Sequence, residues 1–325
     1  MSLGVGLEWV MVLGAAGLDF AIGDPWDWLH PVQVMGIAIK HLSQVALKYC
    51  KTPTTQCFAG IVIALFLILG SAAIVHFSLQ LAYQLHPLVG IAIELIVLAS
   101  CFAGRSLRDA AEDVLLPLRK GKLQEAQSRL SRYVGRDTAY LKAPEIQRAI
   151  LETVAENGVD GVMAPLFWAI VGVFAPGSPA VWAIAFKASS TLDSMIGYKR
   201  MPYRYLGTAS AKIDDLLTFL PCRLTVLTLG VMTRKPIVHW RTCQKEGRLD
   251  PSPNSGWSEC AYAIALGVQL GGLNYYQGVA KFKPLLGIPH SSITPERIRS
   301  ALLLNRRMIL SWLCFTGAIV GLSIP

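Results

Sequence analysis

Cys57-Phe-Ala-Gly-Ile-Val-Ile-Ala-Leu-Phe-Leu-Ile-Leu-Gly-Ser-Ala-Ala-Ile-Val75 runs for nineteen residues without a formal charge. At about 1.5 Å rise per residue, a helix of this length is about 28 Å long and matches the hydrocarbon core of a bilayer. The next apolar run, Leu88 to Ala103, is shorter and carries Glu94. Between them, Gln80 to Pro87 has no formal charge. The pair therefore predicts a helical hairpin whose tip faces away from the cytoplasm. Two further spans are expected near 2–22, which contains Glu8 and Asp19, and near 308–324, flanked by Arg306 and Arg307. Val162 to Phe186 is uncharged but broken at Ala175-Pro-Gly-Ser-Pro179, and Leu216 to Thr233 contains Pro221 and Arg223. Each of these either crosses or enters and returns, because a broken helix at membrane depth needs protein or water around its freed backbone groups.

Composition agrees with this reading. Of 325 residues, 53% are hydrophobic and only 16% charged, against about 25% charged in a soluble domain. Mean hydropathy is +0.45. The net charge of +9 comes without zinc-finger spacing or a basic helix, so nucleic acid is not the expected partner. Gly104 to Gly161 holds ten Lys/Arg and nine Asp/Glu, and Arg234 to Arg307 holds eleven and four. The positive-inside rule places both in the cytoplasm. In the first of them Leu107, Ala111, Leu115 and Leu118 recur at helical spacing, as do Leu123, Ala126 and Leu130, and Pro144 opens a helix to about Asn157. The expected fold class is all-α: one polytopic membrane domain, 1–325, with long cytoplasmic amphipathic helices and two re-entrant or spanning segments. Seven cysteines show no C-x-x-C spacing and read as reduced, packed thiols.

Several clusters carry candidate chemistry. Glu152, Glu156 and Asp160 fall at i, i+4 and i+8, one stripe of a helix. Aligned carboxylates repel unless a cation lies against them, and Mg²⁺ takes hard oxygen ligands together with substrate phosphates. A solvated acidic face ending at a glycine is equally compatible with the spacing. Phe186-Lys-Ala-Ser-Ser-Thr-Leu-Asp-Ser-Met195 gathers Lys187, Thr191, Asp193 and Ser194 after an apolar run. It suits either phosphate and Mg²⁺ binding or a membrane-interface cap with a snorkelling lysine. Gly135-Arg-Asp-Thr138 offers Arg136 and Asp137, with Arg105 upstream; guanidinium suits phosphate, and a surface ion pair is the bland alternative. Asp214 and Asp215 precede an apolar run, where one of them can serve as an N-cap. Asp250-Pro-Ser-Pro-Asn-Ser-Gly-Trp257 presents Ser252 and Asn254 on a rigid turn. His30, before Pro31, reads as a capping or packing histidine. Asp19, in an apolar helix near Leu18-Asp-Phe-Ala-Ile-Gly-Asp-Pro25, is a functional candidate by its setting.

These stretches together resemble the CobD/CbiB family, the adenosylcobinamide-phosphate synthases of cobalamin biosynthesis. The residues that carry the resemblance run along almost the whole chain: LDFAIGDP with HPVQVMG, AGRSL, YVGRDTAYL, ETVAENGVDGVMAPLFWA, FKASSTLDSMIGYK, YRYLGTASAKIDDLLTFLPCRLT and DPSPNSGWSECAYAIALGVQLGGLNYYQG. Three positions depart from the family pattern. Gly158 stands for a usual Thr or Ser, Ser190 for a usual Asn, and Asp250 for a frequent His.

The resemblance implies a multi-pass protein of the cytoplasmic inner membrane, with its active site facing the cytoplasm. It implies a ligase that joins the propionate of a corrinoid, adenosylcobyric acid, to aminopropanol or its phosphate, driven by ATP. Activation through an acyl phosphate would assign Mg²⁺ to a set drawn from Glu152, Glu156, Asp160 and Asp193. Lys187, Arg105 and Arg136 would hold phosphates. Asn157, Thr191, Ser194, Ser252, Asn254 and Asp137 would make further contacts, and Asp214, Asp215 or Asp137 would take the amine's proton. A transporter with a polar site between broken helices, or a corrinoid-binding scaffold for other cobalamin-biosynthesis enzymes, are the competing expectations.

Overall fold

A computed structural model describes residues 4–23 and 30–323; the Asp24-Pro25 end of the first motif lies outside them. Among the described residues there are thirteen α-helices and one two-stranded hairpin. In chain order the helices are α1 (Val5–Ala21), α2 (Pro31–Tyr49), α3 (Pro53–Leu85), α4 (Pro87–Ala99), α5 (Gly104–Arg119), α6 (Leu123–Leu130), α7 (Ala143–Gly158), α8 (Ala164–Phe174), α9 (Pro179–Ile196), α10 (Thr208–Met232), α11 (Pro236–Glu246), α12 (Ser255–Leu266) and α13 (Pro295–Ser323). The hairpin is β1 (Leu270–Tyr276) with β2 (Val279–Leu286). The protein is thus the all-α polytopic type, with a small hairpin that the sequence pattern did not announce.

Among the described residues, five helical stretches are long and apolar enough to cross a membrane: Pro53–Leu85, Pro87–Arg119 (α4 with α5), Ala143–Phe174 (α7 with α8), Thr208–Met232 and Pro295–Ser323. The expected spans at 57–75 and 88–103 lie within two of these, and the described part of the span at 308–324 lies within a third. The stretch near 2–22 forms α1, of 17 residues, which is not among the five. Val162 to Phe186 is not one crossing segment. It divides at the anticipated Ala175–Ser178 break into α8 and α9, which pack on each other. Leu216 to Thr233 lies in the unbroken α10, which runs through Pro221.

Packing divides the chain into two compact units, which the expectation of one domain over 1–325 does not distinguish. One comprises 1–103, 164–218 and 312–325. In it α3 begins at a capping box, with Thr52 and Thr55 bonded reciprocally and Pro53 in the first turn. Phe58, Phe66, Leu69, Ile74, Phe77 and Leu85 of α3 are exposed. A stripe this apolar is costly in water and natural against lipid tails. His86 both ends α3 and caps α4, its Nδ1 accepting from the Leu88 amide at 3.2 Å; this makes the expected hairpin. His30 caps α2 in the same way, accepting from Val32 at 3.2 Å.

The second unit comprises 104–163 and 219–311. Leu107, Ala111, Leu115, Ala126 and Leu130 are buried there, as the helical spacing required. Gly158 ends α7, but the chain does not leave the helical path there. A π turn, Val159–Met163, follows it directly, and such widened turns are frequent at functional sites. The hairpin closes through Gln277 and Gly278, both at positive φ (53° and 77°), the backbone of a two-residue type I′ turn. All seven cysteines are free thiols.

Candidate functional site

In the unit built on α5–α7, α11, α12 and the hairpin, the site starts from a buried carboxylate. Glu152 on α7 is 1% exposed. It accepts from Arg136 Nη2, from Arg148 Nη1 at 3.2 Å and from the Gly271 amide at 2.9 Å. The same two arginines reach β1. Arg136 donates to Asn274 Oδ1 at 2.8 Å, and Arg148 to Asn274 Oδ1 at 3.1 Å, to the Leu273 carbonyl at 3.0 Å and to the Gly271 carbonyl. One acid and two guanidinium groups therefore bolt β1 onto α7. Both Glu152 oxygens are engaged, so it fits poorly as a magnesium ligand. Arg136, expected on a phosphate, is spent on Glu152.

Nearby, α12 and β2 bring in groups that motif reading missed. Glu259 is fully buried and accepts from Lys283 Nζ at 2.8 Å; Asp250 lies 3.9 Å from the same ammonium. Burial pulls the Lys283 ammonium down, but Glu259, Glu156 and Asp250 outweigh it and hold the group above the usual lysine range. Burial pushes the Glu259 carboxyl up to about 8; Lys283 opposes this, and Glu156 and Glu152 reinforce it. Four carboxylates (Glu152, Glu156, Asp250, Glu259) thus meet three cations (Arg136, Arg148, Lys283). Glu259 Oε2, Tyr262 Oη, Asn274 Nδ2 and both polar atoms of the Asn305 amide are buried without a hydrogen-bond partner. Buried polar groups are nearly always satisfied, so these orphans mark where a ligand or water would bond. Gly158 faces this set: a Cβ there would lie 2.6 Å from Asn305 Nδ2 and 3.0 Å from Tyr262 Oη. The glycine at this departure from the family pattern is what the Asn305 placement needs.

Asp250 is part of a built turn, accepting from the Ser252 amide at 2.9 Å and the Ser255 hydroxyl at 3.1 Å. Ser252 Oγ accepts from the amides of Asn254 and Ser255, both at 3.2 Å. Asn254 Oδ1 accepts from Arg223 Nη1 at 2.6 Å, and the Arg223 guanidinium lies between Phe219 and Trp257, 3.8 and 4.4 Å from their ring centres. The rigid turn is as expected, but Ser252 and Asn254 hold the loop and Arg223. Asp137, a candidate proton acceptor, instead accepts from the Gln277 and Gly278 amides at 3.0 and 2.7 Å and clamps the hairpin turn. Arg105 pairs with Asp109 at 2.8 Å on a half-exposed face, the bland alternative foreseen for it. Asn157 is exposed.

The other unit holds the second set. Lys187, Thr191, Asp193 and Ser194 lie on α9, and Asp214 and Asp215 on α10. Thr191 donates its hydroxyl to the Lys187 carbonyl at 2.7 Å and Ser194 to the Thr191 carbonyl at 3.0 Å, so both back-bond to their own helix. Asp214 is buried and acts on Asp193 and Asp215 electrostatically; neither it nor Asp215 is an N-cap, since α10 begins at Thr208. In the membrane-facing bundle, Glu94 is fully buried and accepts from Tyr83 at 2.7 Å.

Among the described residues no group of three or more His, Cys, Asp or Glu side chains has a metal-holding geometry. The donor chemistry of Glu156 and Asp160, hard oxygens one turn apart with Glu259 in electrostatic reach of Glu156, suits magnesium.

Signals for the missed groups were present. Arg148 stands four residues before Glu152, and Glu259 is a lone acid in an apolar helix. Lys283 had no such signal, because only the hairpin's register brings it to Glu259.

A family model described as CobD/Cbib protein matches residues 12–305. The chain is 46% identical over 316 residues to "Cobalamin biosynthesis protein CobD" of Synechocystis sp., covering 97% of this chain and 92% of the relative. It is 39% identical over 306 residues to "Cobalamin biosynthesis protein CbiB" of Salmonella typhimurium, covering 93% and 92%. No solved structure matches. With nearly the full length aligned, and the buried cluster built from the same stretches that carry the likeness, the chain belongs to the CobD/CbiB family of cobalamin biosynthesis proteins.

Proposed function

We propose that the chain is an ATP-driven amide synthase. It would join the propionate carboxylate of adenosylcobyric acid to the amine of aminopropanol, free or phosphorylated, at the cytoplasmic face of the inner membrane. The observation that carries this reading is family membership over residues 12–305. The buried acid–base cluster supports it, because amide formation needs a carboxylate activated away from water.

The γ-phosphoryl group of ATP passes to a propionate oxygen, giving an acyl phosphate and ADP. The amine nitrogen then attacks the acyl carbon, the bond from that carbon to the phosphate oxygen breaks, and inorganic phosphate leaves. The proton lost by the amine goes to a carboxylate. Glu152 holds Arg136 and Arg148 in place. Magnesium, when bound with the nucleotide through Glu156 and Asp160, would neutralise phosphate charge. Lys283 supplies a cation for transferring phosphate.

The test is purified protein with ATP, Mg²⁺ and adenosylcobyric acid, given each amine in turn and read by mass spectrometry. The expected product has the mass of corrinoid plus amine minus water, with one ADP per product. Unchanged corrinoid with both amines would overturn the proposal.

A further inference from the structure

The connection from α9 to α10, Gly197-Tyr-Lys-Arg-Met-Pro-Tyr-Arg-Tyr-Leu-Gly207, carries three cations and three tyrosines. No Asp or Glu occurs between Asp193 and Asp214. Tyr198, Lys199, Arg200, Met201 and Arg204 are exposed. Among the described residues, Lys199, Arg200 and Arg204 have no acidic partner. The two arginines lie instead against rings of their own loop, 5.2 Å from the Tyr198 centre and 5.6 Å from that of Tyr205. Like charges gathered in this way repel one another unless anions lie against them.

The loop is held in place. The Tyr203 amide donates to the Arg200 carbonyl at 3.1 Å and closes a turn, and the Tyr198 hydroxyl donates to the Ser194 carbonyl at 2.8 Å. Leu206 is buried, and its carbonyl packs so closely on Gly60 of α3 that a Cβ there would collide. That contact sets the depth. Gly60 stands three residues into the uncharged run that starts at Cys57, about 4–5 Å along the helix axis. The loop is therefore anchored at the edge of the hydrocarbon layer, where lipid headgroups lie. Lys48, Tyr49 and Lys51 are exposed at the same end of α3, with the Lys48 ammonium 5.4 Å from the Tyr49 ring centre. No acid occurs from 28 to 93. Tyrosine rings settle at headgroup level, and clusters of Lys and Arg beside a membrane helix attract anionic lipid. A zwitterionic headgroup would leave this charge unbalanced.

We propose that the loop from Tyr198 to Tyr205 docks anionic phospholipid headgroups, with Lys199, Arg200 and Arg204 against their phosphates and the tyrosine rings in the headgroup layer. Docking here needs neither nucleotide nor corrinoid.

The full chain is reconstituted in phosphatidylcholine vesicles with a trace of spin-labelled phosphatidylglycerol or spin-labelled phosphatidylcholine. Electron paramagnetic resonance reads the fraction of each label immobilised on the protein. The wild type should prefer phosphatidylglycerol, and about 1 M salt should narrow that preference. Replacing Lys199, Arg200 and Arg204 together by Gln should lower it at least about 2-fold. The charge-conserving set Lys199→Arg, Arg200→Lys and Arg204→Lys should retain it, and Lys281→Gln, at an exposed lysine of the hairpin, should leave it unchanged. ATP added at constant ionic strength should not release the lipid. Circular dichroism and gel filtration establish that each variant is folded; if the triple Gln variant is not, Arg200→Gln and Arg204→Gln singly decide. No preference in the wild type, an unchanged preference in the folded Gln variants, an equal loss in Lys281→Gln, or release by ATP, which would mark a site for free phosphate, would each overturn the proposal. These readouts do not depend on amide synthesis, so failure here and failure of the ligase reading are separable.

Discussion

Glu152 shows how a single residue can look like one thing in a sequence and be another in a fold. Its place in a carboxylate stripe suggested a metal ligand, yet its oxygens hold Arg136, Arg148 and the Gly271 amide. Glu152→Gln leaves two nearly buried guanidinium groups without their counter-charge, which typically costs about 3–5 kcal/mol; the midpoint of thermal unfolding in detergent should fall accordingly. Glu156 acts electrostatically on Lys283 and Glu259, and under the proposed function Glu156→Gln should abolish product formation while expression stays near wild type. Near-normal turnover would remove Glu156 from the site. Glu259 carries a pH signature. Its folded carboxyl sits at about 8, whereas an unfolded glutamate titrates near about 4.3. Between those values the folded chain keeps a proton that the unfolded chain has released, so stability falls as pH rises through the window. Glu259→Gln should flatten that slope in unfolding curves taken from pH 5 to 8; an unaltered slope would place its origin elsewhere.

At the scale of elements, the hairpin is the part that sequence periodicity missed. Leu270–Tyr276 carries two consecutive glycines, Gly271 and Gly272, at positive φ, so no strict alternation of apolar and polar residues appears. The turn itself was readable in principle, since Gln277-Gly278 is a weaker version of the Asn-Gly pair that type I′ geometry favours. Gln277→Asn should raise the unfolding midpoint, by up to about 1 kcal/mol of stability, and Asp137→Ala should lower it by about 1–2 kcal/mol because two turn amides lose their acceptor. Equal midpoints for Asp137→Ala and wild type would show that the clamp is idle. The helices were far more legible. Pro144 in the first turn of α7 and the break at Ala175–Ser178 declare themselves through local chemistry. That the apolar run from Val162 to Phe186 folds into two packed helices fits Pro176-Gly177 in the break and Pro179 at the first position of α9, where its missing amide costs nothing.

For the whole molecule, topology is the decisive question. ATP and the corrinoid are cytoplasmic reactants under the proposed function, so the polar connection from Lys187 to Asp215 must face the cytoplasm. Ser189 is fully buried and a cysteine there would be shielded from reagents. Lys199 is exposed, and Lys199→Cys should react with an impermeant maleimide in inside-out vesicles and not in intact cells. Labelling in intact cells would put this connection outside and rule out the cytoplasmic site.

The amino-acid sequence alone determined that the chain is helical and membrane-spanning, because hydropathy, helix caps and proline breaks act over a few residues and need no distant partner. It also determined the family, since the motifs run along almost the whole length. Only the tertiary structure decided which acids are clamps and which are available. Glu152, Asp137 and Asn254 acquire their partners from segments 119, 140 and 31 residues away, and a carboxylate's role depends on who donates to it rather than on its neighbours in the chain.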